Sequence, residues 1–283
     1  MEIVKNKRFG EERALYNSKD LQIIDCKFDG EEDGESALKE SNNIIVDNCY
    51  FNLRYPFWHD EKLTINNCEL TNLCRAALWY SKDIRINDSK LFGIKALREC
   101  NDIEINKSEI DSLEFGWRSK NIKVLDTKIR NCEYLFFESK NINIDNVDLQ
   151  GKYTFQYVEN LEINNSILDT KDAFWHSKNV VVRNSTIKGQ YLAWYSEDVT
   201  LINCKIVGTQ PLCYCKNLKL IDCEMIDTDL AFEYSDVEAS IKGSILSVKN
   251  PKSGKIVADE IKEIILHDSK IECKCEIIDK SKQ

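Results

Sequence analysis

Glycine and proline are scarce in this chain of 283 residues, ten and three respectively. Nothing in it has the composition of a flexible linker, so no internal boundary is drawn. Basic clusters are also missing. A net charge of −9 with nothing to offset it disfavours a nucleic-acid partner. No apolar run approaches the length of a membrane span, which gives no reason to expect a membrane partner. The opening Met1-Glu-Ile-Val-Lys-Asn-Lys-Arg8 lacks the apolar stretch of a signal peptide, and a cytoplasmic location is the expectation.

Cysteine, by contrast, is plentiful, with twelve residues. Cys26, Cys49, Cys68, Cys204 and Cys223 fall in a repeat slot that Ser or Thr fills elsewhere. That is how a small, buried, weakly polar side chain behaves, and reduced thiols are expected. Cys213/Cys215 and Cys273/Cys275 are the only close pairs, and they have no neighbouring histidines. Structural cysteine is the better reading of both, so neither a metal nor a cofactor is expected.

The dominant feature is a repeat of about 20 residues with the core apolar-x-apolar-x-(Asn/Asp)-(Cys/Ser/Thr)-x-apolar. It is legible at Leu21–Phe28, Ile44–Phe51, Ile84–Leu91, Ile122–Ile129, Val180–Ile187 and Leu218–Met225. Each copy has a first run with apolar residues two apart, such as Ile142/Ile144 and Leu161/Ile163, the period of a strand. A second run holds the small residue and another apolar one, and a third is rich in aromatics, as in Tyr134–Glu138 and Tyr191–Tyr195.

Asn or Asp recurs before the first run (Asp20, Asn43, Asp83, Asp102, Asn121, Asn160, Asn179, Asn217) and again between the first and second (Asp25, Asn48, Asn67, Asn184, Asn203, Asp222). These residues tolerate a left-handed backbone and can turn a strand through a corner. The fold predicted is all-β: a single-domain right-handed parallel β-helix of about 13 coils with three short strands per coil. At strand spacing the stack would reach on the order of 60 Å. A leucine-rich repeat is excluded because no segment between copies has helical spacing, and a left-handed hexapeptide helix because no six-residue rhythm exists. Residues 1–17 lack the repeat and are expected to cap the first coil, 18–279 form the β-helix, and 280–283 are a tail. The turn-rich stretch Val248–Lys255 is expected to loop out of one coil.

The third run carries the candidate site. Its third position back from the next coil is mostly apolar and should point inward (Phe57, Leu78, Leu97, Phe136, Phe155, Phe174). The second position back should point outward, and it contains every tryptophan: Trp58, Trp79, Trp117, Trp175 and Trp194, with Arg98, Phe137, Gln156, Cys213 and Glu233 between or after them. The last position adds His59, Tyr80, Arg118, Glu138, Tyr157, His176, Tyr195 and Tyr214, and the start of the run adds Glu114, Tyr134, Asp172 and Tyr191. Aromatic faces interleaved with charged groups on a rigid sheet suit an oligosaccharide or glycan-like ligand. The expected binding residues are Trp58, Trp79, Arg98, Trp117, Tyr134, Trp175, His176, Tyr191, Trp194 and Tyr195.

Cleavage of a glycosidic bond needs two carboxyls about 5 to 9 Å apart. Glu138 beside Arg118 is the preferred acid/base candidate, with Glu114 and Asp172 next, and a solvated ion pair is the plain alternative for Glu138. A hydrolase or lyase is therefore an open reading. The rival from another class is a non-catalytic scaffold whose aromatic strip is a homo-oligomer or protein-partner interface, or simply a structural stack.

Nearly the whole chain resembles the pectin-lyase-like right-handed β-helix superfamily. More narrowly, Phe9–Leu15, Gly34–Ser41, Asp172-Ala-Phe-Trp175, Gln210–Cys215 and Asp229–Glu233 resemble a family of uncharacterised bacterial proteins, catalogued only as a domain of unknown function. The resemblance implies the fold and a bacterial source and supplies no activity. Superfamily polygalacturonases use an Asp-Asp pair and a Gly-His-Gly, and this sequence has neither. The calcium-binding acidic clusters of pectate lyases are not recognisable, so no catalytic residue carries over by motif.

Overall fold

The computed structural model describes residues 1–30 and 34–283. The chain divides into two compact units, Met1–Asn143 and Ile144–Gln283. The fold is the all-β parallel β-helix that the repeat predicts.

In the first unit the apolar-x-apolar runs become six-residue strands, Lys19–Ile24, Asn42–Asp47, Glu61–Asn66, Lys82–Asn87, Asn101–Asn106 and Lys120–Leu125. They pair in parallel and in register, so that Leu21, Ile44, Leu63, Ile84, Ile103 and Ile122 form one inward file. Burying each such side chain contributes about 1.5–3 kcal/mol, and the register lets every coil use its neighbour as the other wall of the core. Phe9, Phe28 and Phe51 continue the core as a stack, with ring centroids 5.1 and 4.4 Å apart.

Residues 1–17 lie on the first repeat copy as strands and turns. Glu2–Lys5 pairs with the strand at Leu21, Arg8–Phe9 pairs with Lys27–Phe28, and the Leu15 N–H donates to the Ala37 carbonyl. They make a coil of their own, which the sequence hid because its small-residue slot is filled by Lys7.

The second unit repeats the plan with Glu159–Asn164, Lys178–Arg183, Glu197–Ile202 and Leu218–Ile226, and Leu161, Val180 and Val199 share a file. Two long strands follow, Asp236–Lys249 and Ser253–Ile265, paired in parallel with a register shift between Ile241 and Ser244. The loop expected at Val248–Lys255 shrinks to the link 250–252. Lys280–Lys282, expected as a tail, is a short 3-10 turn capped by the Asp279 carboxylate.

Both Asn/Asp files take the left-handed backbone expected of them, as at Asn43 (φ 57°), Asn48 (φ 52°), Asn179 (φ 54°) and Asn203 (φ 51°). Their amides then bond coil to coil: Asn48 to Asp25 at 2.6 Å, Asn121 to Asp102 at 2.8 Å, Asn203 to Asn184 at 2.9 Å and Asn217 to Asp198 at 2.6 Å.

The third run departs from expectation. Among the described residues it is a strand only at Leu78–Trp79 and Leu97–Arg98. Elsewhere it is a chain of turns with left-handed residues at alternate positions, such as Tyr153, Phe155 and Tyr157, or Asp172, Phe174 and His176. Aromatics rarely adopt this conformation. Here the next coil holds them: the N–H groups of Tyr157 and His176 donate to the carbonyls of Trp175 and Trp194 at 2.9 and 3.0 Å.

Candidate functional site: two aromatic ladders on the third run

The turns of the third run fix where its side chains go. Two consecutive residues are buried, as Leu135/Phe136 and Ala173/Phe174 are, then one is half-buried and the last is exposed. The half-buried position holds the tryptophans and the exposed one holds His59, Tyr80, Tyr157, His176 and Tyr195.

In each coil the indole lies along the corner and donates its N–H to a backbone carbonyl of the following coil. Trp58 bonds Ala76 at 2.6 Å, Trp79 bonds Lys95 at 3.0 Å and Trp117 bonds Tyr134 at 2.8 Å in the first unit. In the second, Trp175 bonds Tyr191 at 2.6 Å and Trp194 bonds Gln210 at 2.8 Å. Gln156 fills the same slot and makes the same bond to Asp172, at 3.0 Å. An amide with no ring can stand in for an indole, so the slot selects a donor as well as an aromatic surface.

The indole faces cover one another. Trp58 and Trp79 stack with centroids 4.9 Å apart and planes 3° apart, and Trp175 and Trp194 with 5.4 Å and 4°. The Arg98 guanidinium lies between Trp79 and Trp117, 5.2 and 5.1 Å from their ring centroids, a doubled cation–π contact. Trp117 leans on Phe137 at 5.2 Å and meets Tyr134 edge-on. The tryptophan file thus turns edges, and few free faces, to solvent.

Outside it runs a second ladder. In the second unit Tyr157, His176, Tyr195 and Tyr214 stack at successive spacings of 4.9, 5.2 and 4.7 Å, with planes within 11°. Tyr157 and Tyr195 are 47% and 49% exposed. In the first unit the ladder is only a pair, His59 on Tyr80 at 5.0 Å. Tyr191 sits beneath, edge-on to Trp194 at 5.2 Å.

The carboxyl candidates are each beside a cation. Glu138 accepts from Arg118 at 2.7 Å on the open surface, and that bond raises the Arg118 pKa further. Glu114 faces Lys95 at 3.4 Å. Asp172 is mostly buried, which pushes its carboxyl up, while Lys171 at 3.7 Å pulls it down. Glu114, Arg118 and Glu138 lie in the first unit and Asp172 in the second. The geometry of Glu138 and Arg118 is that of a solvated cross-coil ion pair.

Sequence reasoning passed over Glu233 and Lys249, a 2.9 Å pair whose carboxylate also accepts from the Tyr214 hydroxyl at 3.4 Å. Glu233 stood in the tryptophan register as a signal. Lys249 lies outside the repeat pattern and left none. Cys213 and Cys215 are buried, Cys273 and Cys275 half-buried, and all twelve cysteines are free thiols.

No curated protein matches the sequence. Among solved structures the chain is similar to the A-module of the mannuronan C-5 epimerase AlgE4 of Azotobacter vinelandii, at 12% identity and a TM-score of 0.32, over 85% of this chain and 81% of that one. It is also similar to a double mutant of the tailspike protein of E. coli bacteriophage HK620, at 9% identity and a TM-score of 0.36, over 92% of this chain and 62% of that one. Likenesses this distant carry no argument about activity. A family model matches residues 2–278, and the chain belongs to the family described as Protein of unknown function (DUF3737).

Proposed function

We propose that the exposed aromatic ladder of the second unit binds a carbohydrate chain without cleaving it. The observation that carries this reading is the stack Tyr157, His176, Tyr195 and Tyr214 at 4.7 to 5.2 Å spacing. It offers polar ring edges at one strand spacing, ~5 Å, comparable to the length of one sugar in an extended chain. The left-handed corners hold the backbone of every rung, so little conformational entropy is left to lose on binding. The tryptophans beneath act as the base on which the outer rungs stand. Among the described residues no pair of carboxyls at glycosidase spacing is identified along this ladder, and binding alone is the reading proposed.

Screening the full chain and Tyr195→Ala against a glycan array tests this. Saturable binding that the substitution abolishes supports it, and an unresponsive array sinks it.

A second reading has its own observation. Beside the first unit's tryptophans, Leu73, Ile94 and Leu113 are 60%, 38% and 41% exposed on successive coils. The Lys95 N–H donates to the Leu113 carbonyl, which aligns Ile94 with Leu113 on neighbouring coils, and Leu73 lies one coil before them. Exposed aliphatic side chains of this kind suit a protein partner or a second copy. Chain mass in solution, compared with Leu73→Asp, distinguishes an oligomer from a monomer.

A further inference from the structure

We infer that Asp60 is a carboxylic acid in the folded chain, that it donates its proton to the Leu38 carbonyl of the preceding coil, and that this bond is a pH-sensitive latch on the third run. Asp60 belongs to a buried file at the end of that run. Ser41, Asp60, Ser81, Cys100, Ser119 and Ser139 fill it in the first unit, and Ser177, Ser196, Cys215 and Ser235 in the second.

A typical member bonds the coil before it twice. Its side chain accepts from the N–H of the file residue there: Ser81 from Asp60 and Ser139 from Ser119 at 3.0 Å, and Ser235 from Cys215 at 2.8 Å. It also donates to the carbonyl three residues before that file position. Ser81 donates to Phe57, Ser139 to Gly116, Ser177 to Phe155 and Ser235 to Leu212, each at 2.7 Å. Cys100 and Cys215 do the same through sulfur, to Leu78 at 3.3 Å and Ala193 at 3.1 Å. A hydroxyl has one O–H and two lone pairs, so a single atom serves both bonds.

Asp60 divides the two bonds between its oxygens. Oδ1 accepts from the Ser41 N–H at 2.9 Å, while Oδ2 is buried and, as a carboxylate oxygen, has no partner among the described residues. The place of Asp60 in the file assigns Oδ2 to the carbonyl of Leu38, three residues before Ser41. Leu38 is itself fully buried, and among the described residues its carbonyl receives no hydrogen bond. Two buried acceptors without donors are costly, and one proton on Oδ2 satisfies both. Loss of that proton to water sets a carboxylate against a carbonyl oxygen.

The charged neighbours offer no counter-ion. On its own coil His59 stacks on Tyr80, and Glu61 pairs with Lys82 of the next coil at 3.1 Å. On the preceding coil Glu40 accepts from the Tyr16 hydroxyl, with the Lys39 ammonium 3.9 Å away. All of these reach solvent, whereas Asp60 does not. Burial accordingly pushes its carboxyl well above the carboxylate range, and only the Ser41 N–H pulls against it.

The test is hydrogen exchange of the full chain across the pH range, corrected for the intrinsic rate, together with infrared difference spectra. An opened coil releases the proton near pH ~3.9, so each pH unit above that should favour opening by about tenfold until the folded value is reached. The Leu38 and Glu40 amides, which donate to Pro56 and Trp58 of the next coil, should lose protection by that factor in wild type. Asp60→Asn, whose amide can donate where the acid does, and Asp60→Ser should both hold protection level. At pH ~6, where an ordinary aspartate is ionised, wild type minus Asp60→Asn should show the carbonyl band of an un-ionised acid. A folded wild type without that band would overturn the neutral Asp60. Protection that falls as steeply in Asp60→Asn and Asp60→Ser as in wild type would remove the latch. So would an equal loss at second-unit amides such as Tyr157 and His176, which would make Asp60 a contributor to overall stability alone.

Discussion

Trp175 and Trp194 lie one coil apart with indole planes 4° from parallel and centroids separated by 5.4 Å, and each indole N–H is bound to a backbone carbonyl one coil on. Every tryptophan thus bolts two coils together by a ring contact and a hydrogen bond. Trp175→Ala should destabilise the fold by about 2 kcal/mol, less than a fully buried tryptophan because the ring is half-exposed. Tyr195→Ala, which removes only an outer ring, should cost about 1 kcal/mol. Urea denaturation followed by far-UV circular dichroism compares the two. Equal costs would mean that the indole bonds add nothing.

The corner amides lead to a second expectation. Asn203 holds φ at 51° and bonds Asn184 at 2.9 Å. Asn203→Ala puts an ordinary side chain into the left-handed region and deletes the bond, at a combined cost of about 1–3 kcal/mol. Asn203→Gly should restore the backbone part of that loss. A glycine variant as unstable as the alanine one would place the whole effect in the ladder bond.

Asp60 gives a pH dependence. It is 1% exposed in a slot that Ser81, Ser119 and Ser139 fill on other coils. One carboxyl oxygen accepts from the Ser41 N–H at 2.9 Å, and the other has no partner among the described residues. Burial holds its pKa well above the carboxylate range. An unfolded aspartate loses its proton near pH ~3.9, so above that pH the unfolded state binds fewer protons than the folded one. Stability should therefore fall as pH rises from ~3.9 towards the raised folded value. Asp60→Ser should flatten that slope and be more stable at pH 8, by about 1–3 kcal/mol. Urea midpoints between pH 4.5 and 8 test it, and parallel slopes for the two proteins would contradict it.

Glu138 is expected to be silent. Because it is an exposed ion pair with Arg118, Glu138→Gln should leave both glycan binding and melting close to wild type. A large loss of binding would return it to the candidate site.

Much of this molecule could be read from its residues. The strands follow from apolar pairs such as Leu161/Ile163, and the corners from Asn and Asp, whose side chains announce a left-handed backbone. The first coil escaped notice because Lys7 breaks the small-residue file, although Glu2–Lys5 still pairs. The third run escaped for a deeper reason. Nothing in Tyr157 or His176 taken singly favours a left-handed corner, and only the carbonyls and rings of the next coil put them there. For the same cause the tryptophan register was correct while its exposure was not. Period-two alternation turned the indoles outward, whereas the turns lay them flat on their neighbours. Lys249 belongs to a long strand outside the repeat, and only the fold carries it to Glu233.

The most direct measurement is calorimetric titration of wild type, Tyr157→Ala and Tyr195→Ala with cellohexaose and maltohexaose. The account predicts saturable binding of one of them by wild type, weakened at least about tenfold in both variants while their folds persist. Binding that survives both substitutions, or no binding by a wild type shown to be folded, would contradict a glycan-binding role for the outer ladder.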